Sequence, residues 1–220
     1  MRINKFVAQA TGLSRRAADQ TIADGRVSIN GQISSPGQIV NDNDIVSLDG
    51  NSINLPESVI TIMINKPVGY VCSRKGQGSQ TVYDLLPEAY ARLKTVGRLD
   101  KDSSGLLLLT SDGNLANELT HPRYAKSKVY LVTLNKQLLP LHHQMISDHG
   151  IELSDGNSQL GLTKIAENGH AWQVTMSEGR NRQIRRTFEA LGYKVVKLQR
   201  TNFGNYSLDG LRSGKYKICN

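Results

Sequence analysis

Hydrophobic spacing along the first fifty residues changes from a helical to an extended period. Apolar side chains recur at the spacing of one helix face at Ile3, Phe6, Val7 and Ala10. Gly12 follows at the position where a left-handed residue commonly ends a helix. A second helix is predicted after Ser14, a residue type that caps helices, and Gly25 should end it. The apolar stripe of that helix comprises Ala17, Ala18, Thr21 and Ile22.

Short strands follow the two predicted helices. Val27 and Ile29 alternate with polar residues, Asn30-Gly31 is the strongest two-residue hairpin signal, and Ile33 begins the return strand. Another strand is predicted at residues 45–48. Residues 50–59 mix Gly, Asn, Ser and Pro without periodicity, which predicts a linker after a first domain at residues 1–49.

The remaining chain, residues 60–220, is predicted to form a larger second domain. Strands are expected from residue 60, at 106–109, at 128–132 and at 172–176; the run Leu106 to Leu109 is uninterrupted, which indicates a strand buried on both faces. Helical pieces are expected at 83–86, at 90–93 and around Leu115 and Leu119 before Pro122. A last helix should carry Ile184, Phe188 and Leu191 on one face and end at Gly192.

Composition favours an ordinary globular protein of the cell interior. The 220 residues are 38% hydrophobic, and no apolar run is long enough for a membrane span or a secretory signal. The two cysteines, Cys72 and Cys219, are far apart and form no CxxC pair. These features predict a cytoplasmic location without a disulfide framework, a metal site or a membrane association. A monomer is expected by default.

The positive charge is concentrated in two stretches. The formal net charge is +8; residues 1–26 contain five basic and two acidic side chains, and residues 178–200 contain seven and two. A single basic stretch is usually a solvated face, but two of them in one basic protein favour nucleic acid as the partner. The N-terminal candidates for RNA contact lie on or beside the predicted helices: Arg2, Lys5, Arg15 and Arg16.

Asp100 is the candidate for chemistry. It lies in the segment from Gly97 to Gly113, GRLDKDSSGLLLLTSDG, on a predicted loop just before the buried strand. Loops held by a rigid scaffold often carry catalytic groups. The adjacent Arg98 and Lys101 favour the ionised carboxylate that a nucleophile needs. An aspartate in a turn is more often a local hydrogen-bond acceptor, and this alternative is expected for Asp102 and Asp112.

Two family resemblances extend the hypotheses of a nucleic-acid partner and of Asp100 as a catalytic group. The phrase SRRAADQTIADGRVSINGQ, residues 14–32, resembles the S4-type RNA-binding domain, a helix-helix-sheet module. Four segments resemble, in order and spacing, those of the pseudouridine synthases related to the small-subunit rRNA enzyme A. They are INKPVGYVCS from Ile64, GRLD with SSGLLLLTSDG from Gly97, KVY from Lys128 and EGRNRQIRR from Glu178. The resemblance implies an α+β fold, in which the small RNA-binding domain precedes a mixed, mainly antiparallel-sheet catalytic domain.

The same resemblance implies a reaction and a set of residues. The reaction is the isomerisation of a specific uridine in ribosomal RNA to pseudouridine, without a cofactor, with Asp100 as nucleophile and the base flipped out of the RNA. Tyr130 is implied to stack on that base, Ile184 to close the pocket, Arg185 to ion-pair with the catalytic carboxylate, and Arg98 to fill the gap left by the flipped nucleotide. Flanking phosphates need a basic cradle, for which the candidates are Lys128, Arg180, Arg182 and Arg186.

Each of these residues has a plainer alternative. Tyr130 and Ile184 fit a hydrophobic core equally well, and Arg98 or Arg185 could contact phosphate only. Gly76-Gln77-Gly78 lacks the third glycine of a dinucleotide loop, and His142, His143 and His149 have no metal-binding motif around them. A non-enzymatic RNA-binding or ribosome-assembly protein and, more distantly, a nucleoside or glycoside hydrolase remain as rival functions. The identity of the uridine, the subunit whose rRNA contains it and the form of the intermediate stay open.

Overall fold

The computed structural model describes residues 1–56 and 58–219. The chain divides into two compact units, Met1–Val59 and Ile60–Asn220. Glu57, inside the predicted linker, and Asn220, at the end of the predicted second domain, lie outside the described residues. Within the described parts of the chain, no helix is both long and apolar enough to cross a membrane.

The smaller unit begins with two helices that end and start as their sequences predict. Helix α1 spans Ile3–Thr11, and Gly12 follows it in the left-handed conformation, with φ of 80°. Helix α2 spans Arg15–Ala23, and the Ser14 hydroxyl accepts a hydrogen bond of 3.1 Å from the backbone N–H of Ala17. Both helices bury their apolar stripes in one small core with the strands that follow.

A four-stranded antiparallel sheet completes the smaller unit. Its strands are β1 (Val27–Ile29), β2 (Gln32–Ile33), β3 (Val46–Leu48) and β4 (Asn51–Ser52), in the order β2-β1-β3-β4. Asn30 and Gly31 connect β1 to β2 with positive φ angles of 51° and 82°, as their hairpin signal predicts.

The segment 50–59 differs from its prediction as a linker, because its beginning belongs to the sheet. Asn51 and Ser52 form β4 against β3, and Ile53 packs on the core of this unit. Asp49 and Gly50 make the connecting turn, with φ angles of 49° and 79°. Asp-Gly is itself a two-residue hairpin signal, so the sequence carried the information for this strand.

The larger unit is built on one nine-stranded, mixed sheet. Its strands are β5 (Thr61–Lys66), β6 (Lys94–Val96), β7 (Ser104–Thr110), β8 (Lys128–Leu134), β11 (Gly161–Lys164), β12 (Ala171–Met176), β13 (Val195–Phe203), β14 (Tyr206–Ser207) and β15 (Tyr216–Ile218). A separate hairpin pairs β9 (Ile151–Leu153) with β10 (Gly156–Ser158). The main order is β11-β12-β8-β13-β7-β5-β15, with β14 on β13 and β6 on β7. Strands β7 and β13 run parallel, and the other pairings described are antiparallel.

Short helices connect these strands. They are α3 (Gly113–Thr120), α4 (Pro140–Gln144), which continues as a π-helical turn at Met145–His149, and α5 (Gln183–Glu189). Turns of 3-10 helix lie at Val82–Leu85, Glu88–Tyr90 and Pro122–Tyr124. The second of these begins right after its N-cap residue Pro87, two residues earlier than the predicted piece at 90–93, and shares only Tyr90 with it.

The core of the larger unit lies on both faces of the sheet. Leu107 and Leu109 of β7 belong to one hydrophobic cluster, and Leu106 and Leu108 belong to another. All four leucines are fully buried, which confirms the strand buried on both faces. Helix α5 covers the first cluster with Phe188. The predicted α+β class is confirmed by this arrangement of helices on a mixed sheet.

Candidate active site

A cleft of about 470 Å³ opens on one face of the large sheet. Its floor consists of side chains from β8, β12 and β13 together with Ile184 of α5, and its walls are the loop from Gly97 to Ser103 and the segment from Ser177 to Gln183. Seven of the predicted site residues line it: Arg98, Asp100, Lys128, Tyr130, Arg180, Arg182 and Ile184. Arg185 and Arg186 do not line this cleft, and Arg2, Lys5, Arg15 and Arg16 belong to the smaller unit.

Asp100 lies on the loop that joins β6 to β7, and 36% of its side chain is exposed. Its backbone carbonyl accepts a hydrogen bond of 3.1 Å from the N–H of Ser103, which closes a tight turn. The carboxylate therefore stands on a short, folded-back segment at the cleft wall. A group held in this way needs little reorganisation to meet a ligand.

The segment after β5 holds this loop from one side. The buried Lys66 ammonium donates to the carbonyl of Ser103 at 2.6 Å and to that of Pro67 at 3.0 Å. The N–H of Gly69 donates to the carbonyl of Lys101 at 2.7 Å. The INKPVG phrase, recognised in the sequence only as a family resemblance, is thus the anchor of the Asp100 loop.

Lys66 is an unusual anchor because its side chain is fully buried. Burial lowers the pKa of its ammonium below the ordinary 10.5, while the nearby Cys72, Asp100 and Asp102 act in the opposite direction. A buried cation is tolerated when its donors are used, and the two carbonyls serve that purpose. The signal available in the sequence was the largely apolar run of residues 60–64, which is followed closely by Lys66 and Pro67.

Two arginines hold the loop from the other side, and their roles differ from the prediction. Arg182 Nη1 lies 3.6 Å from Asp100 Oδ2. Arg185 was expected to pair with Asp100, but its Nε lies 3.3 Å from Asp102 Oδ2, and its Nη2 donates to the carbonyl of Asp102 at 2.8 Å. The carbonyl of Val195 also accepts from Arg185. These acceptors keep Arg185 behind the loop, so Arg182 is the arginine nearest to the candidate carboxylate.

Asp100, Asp102, Arg182 and Arg185 form an ionic cluster in which Asp102 contacts both arginines. Arg182 binds both of its carboxylate oxygens, each at 3.1 Å, in addition to the contact with Arg185. Burial opposes the ionisation of Asp102, but the hydrogen bonds and charges of the two arginines outweigh it and hold its pKa below 3.8. Asp102 lies in a turn as predicted, but its carboxylate also binds two arginines, a role that the sequence interpretation did not assign. The predicted local role is confirmed for Asp112, which caps α3 by accepting from the N–H of Asn114.

The floor of the cleft is largely apolar. Tyr130 on β8 is 8% exposed, and Ile184 on α5 is 4% exposed. Met176 and Leu198 complete this surface from β12 and β13. A flat, partly apolar ligand such as a nucleobase fits a floor of this kind.

Lys128 stands at one end of this floor. Its ammonium lies 3.3 Å from the carbonyls of Ser177 and Glu178 and 5.3 Å from the centre of the Phe203 ring. Burial, together with the charge of Arg200, lowers the pKa of Lys128 below 10.5. Lys128 therefore ties β8 to the segment that follows β12 as well as adding charge to the cleft.

Arg180 and Arg186 are engaged with the β9–β10 hairpin. Arg186 binds both carboxylate oxygens of Asp155, at 2.9 and 2.7 Å. Arg180 donates to Asp155 and to the carbonyls of Gly156 and Asn157. The two arginines thus clamp the hairpin turn, a role that charge counting along the sequence did not reveal.

Arg200 is a cleft residue that the sequence interpretation passed over. It was counted only as part of a basic stretch, yet its side chain is 2% exposed and lines the cleft. Leu198 and Arg200 are two residues apart on β13, and residues at this spacing in a strand share a face. The pattern VVKLQR therefore carried the signal that this arginine points toward the floor.

The basic residues of the smaller unit gather where its two helices begin. Arg15 donates to the Asn4 side chain at 3.4 Å, and Asn4 donates to Asp19 at 2.8 Å, which links the first turns of α1 and α2. Arg2, Arg15 and Arg16 are exposed, and Lys5 is half-buried next to Asn4. These contacts place Arg15 beside the first turn of α1, the turn that also contains Lys5. As for metals, no cluster of three potential ligands from His, Cys, Asp and Glu occurs in the described parts of the chain.

Comparison with known proteins assigns each unit to a family. The S4 domain family matches residues 1–46, and the family described as RNA pseudouridylate synthase matches residues 60–190. The second match covers more than half of the chain and includes the Asp100 loop, the floor residues of β8 and the ionic cluster.

Individual relatives carry related names. A protein of Xanthomonas campestris called ribosomal large subunit pseudouridine synthase B is 38% identical over 94% of this chain, although the chain spans only 44% of that protein's length. Ribosomal small subunit pseudouridine synthase A of Pasteurella multocida is 34% identical over 99% of this chain and 95% of its own length.

A solved structure agrees with these relatives. The crystal structure of a pseudouridylate synthase, 31% identical, superposes with a TM-score of 0.71 over 100% of this chain and 96% of its own. Sequence motifs, fold and cleft therefore lead to the same assignment: the chain belongs to the RNA pseudouridylate synthase family and carries an S4 domain at its N-terminus.

Proposed function

We propose that this protein isomerises a uridine of ribosomal RNA to pseudouridine, with Asp100 as the nucleophile. The observation that carries the proposal is the position of Asp100, on a loop anchored from two sides at the wall of a cleft whose floor includes Tyr130, Leu198 and Met176. The names of the relatives supply the substrate class, since they refer to ribosomal large and small subunits.

The chemistry requires a carboxylate and no second acid across the cleft. In one route the Asp100 carboxylate bonds to C1′ of the target ribose as the C1′–N1 bond breaks. In the other it removes a proton from C2′, and the base then departs. In both routes the uracil rotates and C5 bonds to C1′; the Asp100–C1′ bond breaks in the first route, and Asp100 returns the proton to C2′ in the second. The C5 proton is then released, and N1 takes up a proton. Glycoside hydrolysis differs because it uses two opposed carboxylates, whereas Asp102 stands two residues away and is held by Arg182 and Arg185.

The neighbours of Asp100 divide the remaining tasks. Tyr130 and Ile184 offer a surface on which the flipped base can stack. Arg182, 3.6 Å from Asp100, keeps a compensating charge beside the nucleophile, and Arg185 is a positioning residue that acts through the backbone of Asp102. Arg98 is exposed at the rim, where it can occupy the gap that the base leaves.

The RNA must be held while the base is extracted. Extraction from a duplex costs a few kcal/mol, which contacts to the flanking phosphates offset. Arg98, Lys128 and Arg182 at the larger unit can supply them, and the S4 unit supplies Arg2, Lys5, Arg15 and Arg16. Arg180 and Arg186 contribute their charge while they clamp the hairpin of β9 and β10.

The test is release of tritium from ribosomal RNA labelled at C5 of uridine, with large- and small-subunit RNA assayed separately. We expect the wild-type protein to release tritium from one of them. Asp100→Asn should slow the release by at least about 1,000-fold, the scale on which loss of a nucleophile acts in other enzymes, and leave RNA binding intact. Asp148→Asn is the matched control because Asp148 is exposed and does not line the cleft.

Two results would contradict the proposal. Binding of ribosomal RNA by the wild type without release of tritium would indicate a non-enzymatic RNA-binding protein. Free uracil as the product would indicate a nucleoside hydrolase. Mapping of pseudouridine by carbodiimide primer extension, in cells with and without the protein, then identifies the uridine.

A further inference from the structure

Arg200 lies on the cleft floor next to Tyr130. On β13 it is directly opposite Tyr130 of β8, and side chains of directly opposed residues stand on the same face of a sheet. Arg200 lines the cleft although only 2% of it is exposed. Its guanidinium is therefore a buried cation beside the residue on which we expect the base to stack.

Two contacts of this guanidinium stabilise the fold. Its Nε donates to the carbonyl of Leu106 at 2.8 Å, which extends the short pairing of β13 with β7, and its Cζ lies 4.8 Å from the centre of the Phe203 ring. Its Nη2 is buried and has no hydrogen-bond partner among the described residues. A buried donor without a partner costs folding free energy. A purely structural role would not account for this donor.

The surroundings indicate which kind of acceptor would satisfy it. Tyr130, Leu198 and Met176 make this part of the cleft mainly apolar, whereas Arg98 and Arg182 are exposed at its walls. Phosphates of the RNA backbone remain hydrated and suit the exposed arginines. A ring with polar edges, such as uracil with O2 and O4, suits the floor.

We propose that Arg200 binds a carbonyl oxygen of the uracil ring and stabilises the negative charge that the ring gains when it leaves the ribose. The inference rests on the proposed function. When C1′–N1 breaks, the bonding electron pair stays on the ring and spreads over N1, O2 and O4. This holds whether Asp100 has bonded to C1′ or removed the C2′ proton. When C5 then bonds to C1′, the ring's charge is consumed, and Asp100 either leaves C1′ as the carboxylate or returns its proton to C2′. The C5 proton then leaves to solvent, and N1 takes up a proton.

A fixed cation at the floor favours this step for an electrostatic reason. The charge on the ring is greatest after the bond breaks, so a donor aimed at an oxygen stabilises the departing ring more than the bound uridine. The guanidinium is already desolvated and held by Leu106 and Phe203, which spares reorganisation during the reaction. Lys128 lies over the same Phe203 ring and adds a second positive charge nearby.

The experiment compares two substrates that differ in the basicity of the departing ring. RNA carrying uridine or 5-fluorouridine at the mapped target position is treated with excess wild-type protein, Arg200→Met, Arg200→Lys or the control Arg92→Met, an exposed arginine outside the cleft. Single-turnover loss of the starting nucleoside is followed by digestion to nucleosides and mass spectrometry. Because fluorine cannot leave C5 as the proton does, the expected product of 5-fluorouridine is C5-linked, keeps its fluorine and has taken up water across C6 and N1. Fluorine withdraws electrons, so the fluorinated ring needs less help from a cation.

We expect Arg200→Met to slow conversion of the uridine RNA about 100-fold, the effect of losing one oxyanion donor in other enzymes. The loss with 5-fluorouridine should be clearly smaller, RNA affinity should be unchanged, and Arg200→Lys should lie between wild type and Arg200→Met. Arg92→Met should match wild type with both substrates.

Three results would overturn the inference. Equal losses with both substrates would show that Arg200 does not act on the departing ring. A loss of RNA affinity with an unchanged single-turnover rate at saturation would identify a phosphate contact. If Arg200→Met does not fold, the same substrate comparison with Arg200→Lys decides, and equal losses there count against the proposal. Absence of pseudouridine with the wild type would instead contradict the proposed function itself.

Discussion

Two aspartates separated by one residue have different electrostatic surroundings. Asp100 has Arg182 at 3.6 Å, whereas Asp102 is bound by Arg182 through both oxygens and contacted by Arg185. A carboxylate whose oxygens are occupied is a poor nucleophile, and one that stands at a cleft wall with a cation nearby is better suited. The division of labour between the two residues follows from which oxygens the arginines occupy.

We predict that Asp102→Asn makes stability less dependent on pH in acid. The arginines hold the pKa of Asp102 below its ordinary 3.8, so their stabilisation is present above 3.8 and is lost as pH falls through the lower, folded-state value. Because 46% of this side chain is exposed, its ion pairs stabilise the folded state by no more than about 1 kcal/mol.

Urea unfolding from neutral pH to pH 2.5 would measure this effect. Wild type should be the more stable at neutral pH, and the difference should shrink toward zero at the acid end. A difference that stays constant would mean that the ion pairs of Asp102 contribute nothing to stability. Asp148→Asn provides the comparison for loss of a carboxylate elsewhere.

At the level of elements, the pairing of β7 with β13 connects the floor of the cleft to the Asp100 loop. The two strands are parallel and match at Gln199 with Ser104 and at Arg200 with Gly105. Gly105 has a φ of 109°, and a Cβ added there would lie 2.2 Å from the carbonyl oxygen of Arg200. Glycine is therefore required where the two backbones approach each other.

Gly105→Ala should destabilise the larger unit by about 3 kcal/mol or more, because it combines a backbone clash with an unfavourable φ. Gly113→Ala is the matched control. Gly113 begins α3, and a Cβ there meets nothing within 4 Å, so the change should be neutral or stabilise by up to about 1 kcal/mol. Denaturant unfolding of both variants would test this, and similar midpoints for the two would contradict the account of the β7–β13 contact.

For the whole molecule, the distribution of basic residues over two units suggests that both contact RNA. The S4 unit presents exposed arginines at the start of α2, and the larger unit presents them at the cleft walls. Binding that depends on phosphate contacts weakens with salt in proportion to the number of contacts. The salt dependence therefore reports how many contacts each unit makes.

Arg15→Gln combined with Arg16→Gln should make the plot of log affinity against log salt shallower by about 1.5, since each phosphate contact contributes about 0.7 to 0.9. Arg26→Gln in the same unit should have little effect because Asp49 already neutralises that guanidinium, with Nη2 and Oδ2 at 2.6 Å. Titration of labelled ribosomal RNA at several salt concentrations measures the slopes. Equal slopes for the double variant and wild type would exclude these arginines from the RNA interface.

Local signals in the sequence determined much of this protein. Gly12, Ser14 and Asn30-Gly31 fixed the ends of the first helices and the first hairpin, and the leucine run fixed β7, because caps, turns and periodicity depend on neighbours within a few residues. The Asp100 loop and its family resemblance could likewise be recognised in the sequence. The strand at Asn51 and Ser52 was not predicted, although Asp49-Gly50 is a hairpin signal directly before it.

Only the tertiary structure decided which charges meet. Arg182 rather than Arg185 lies nearest to Asp100, Lys66 holds the loop from below, and Arg200 is buried at the floor. These partners are separated by 37 to 94 residues in the chain, so no local pattern records their distances. Arginine side chains are long and can choose among several acceptors, and packing, not spacing, selects the one they bind.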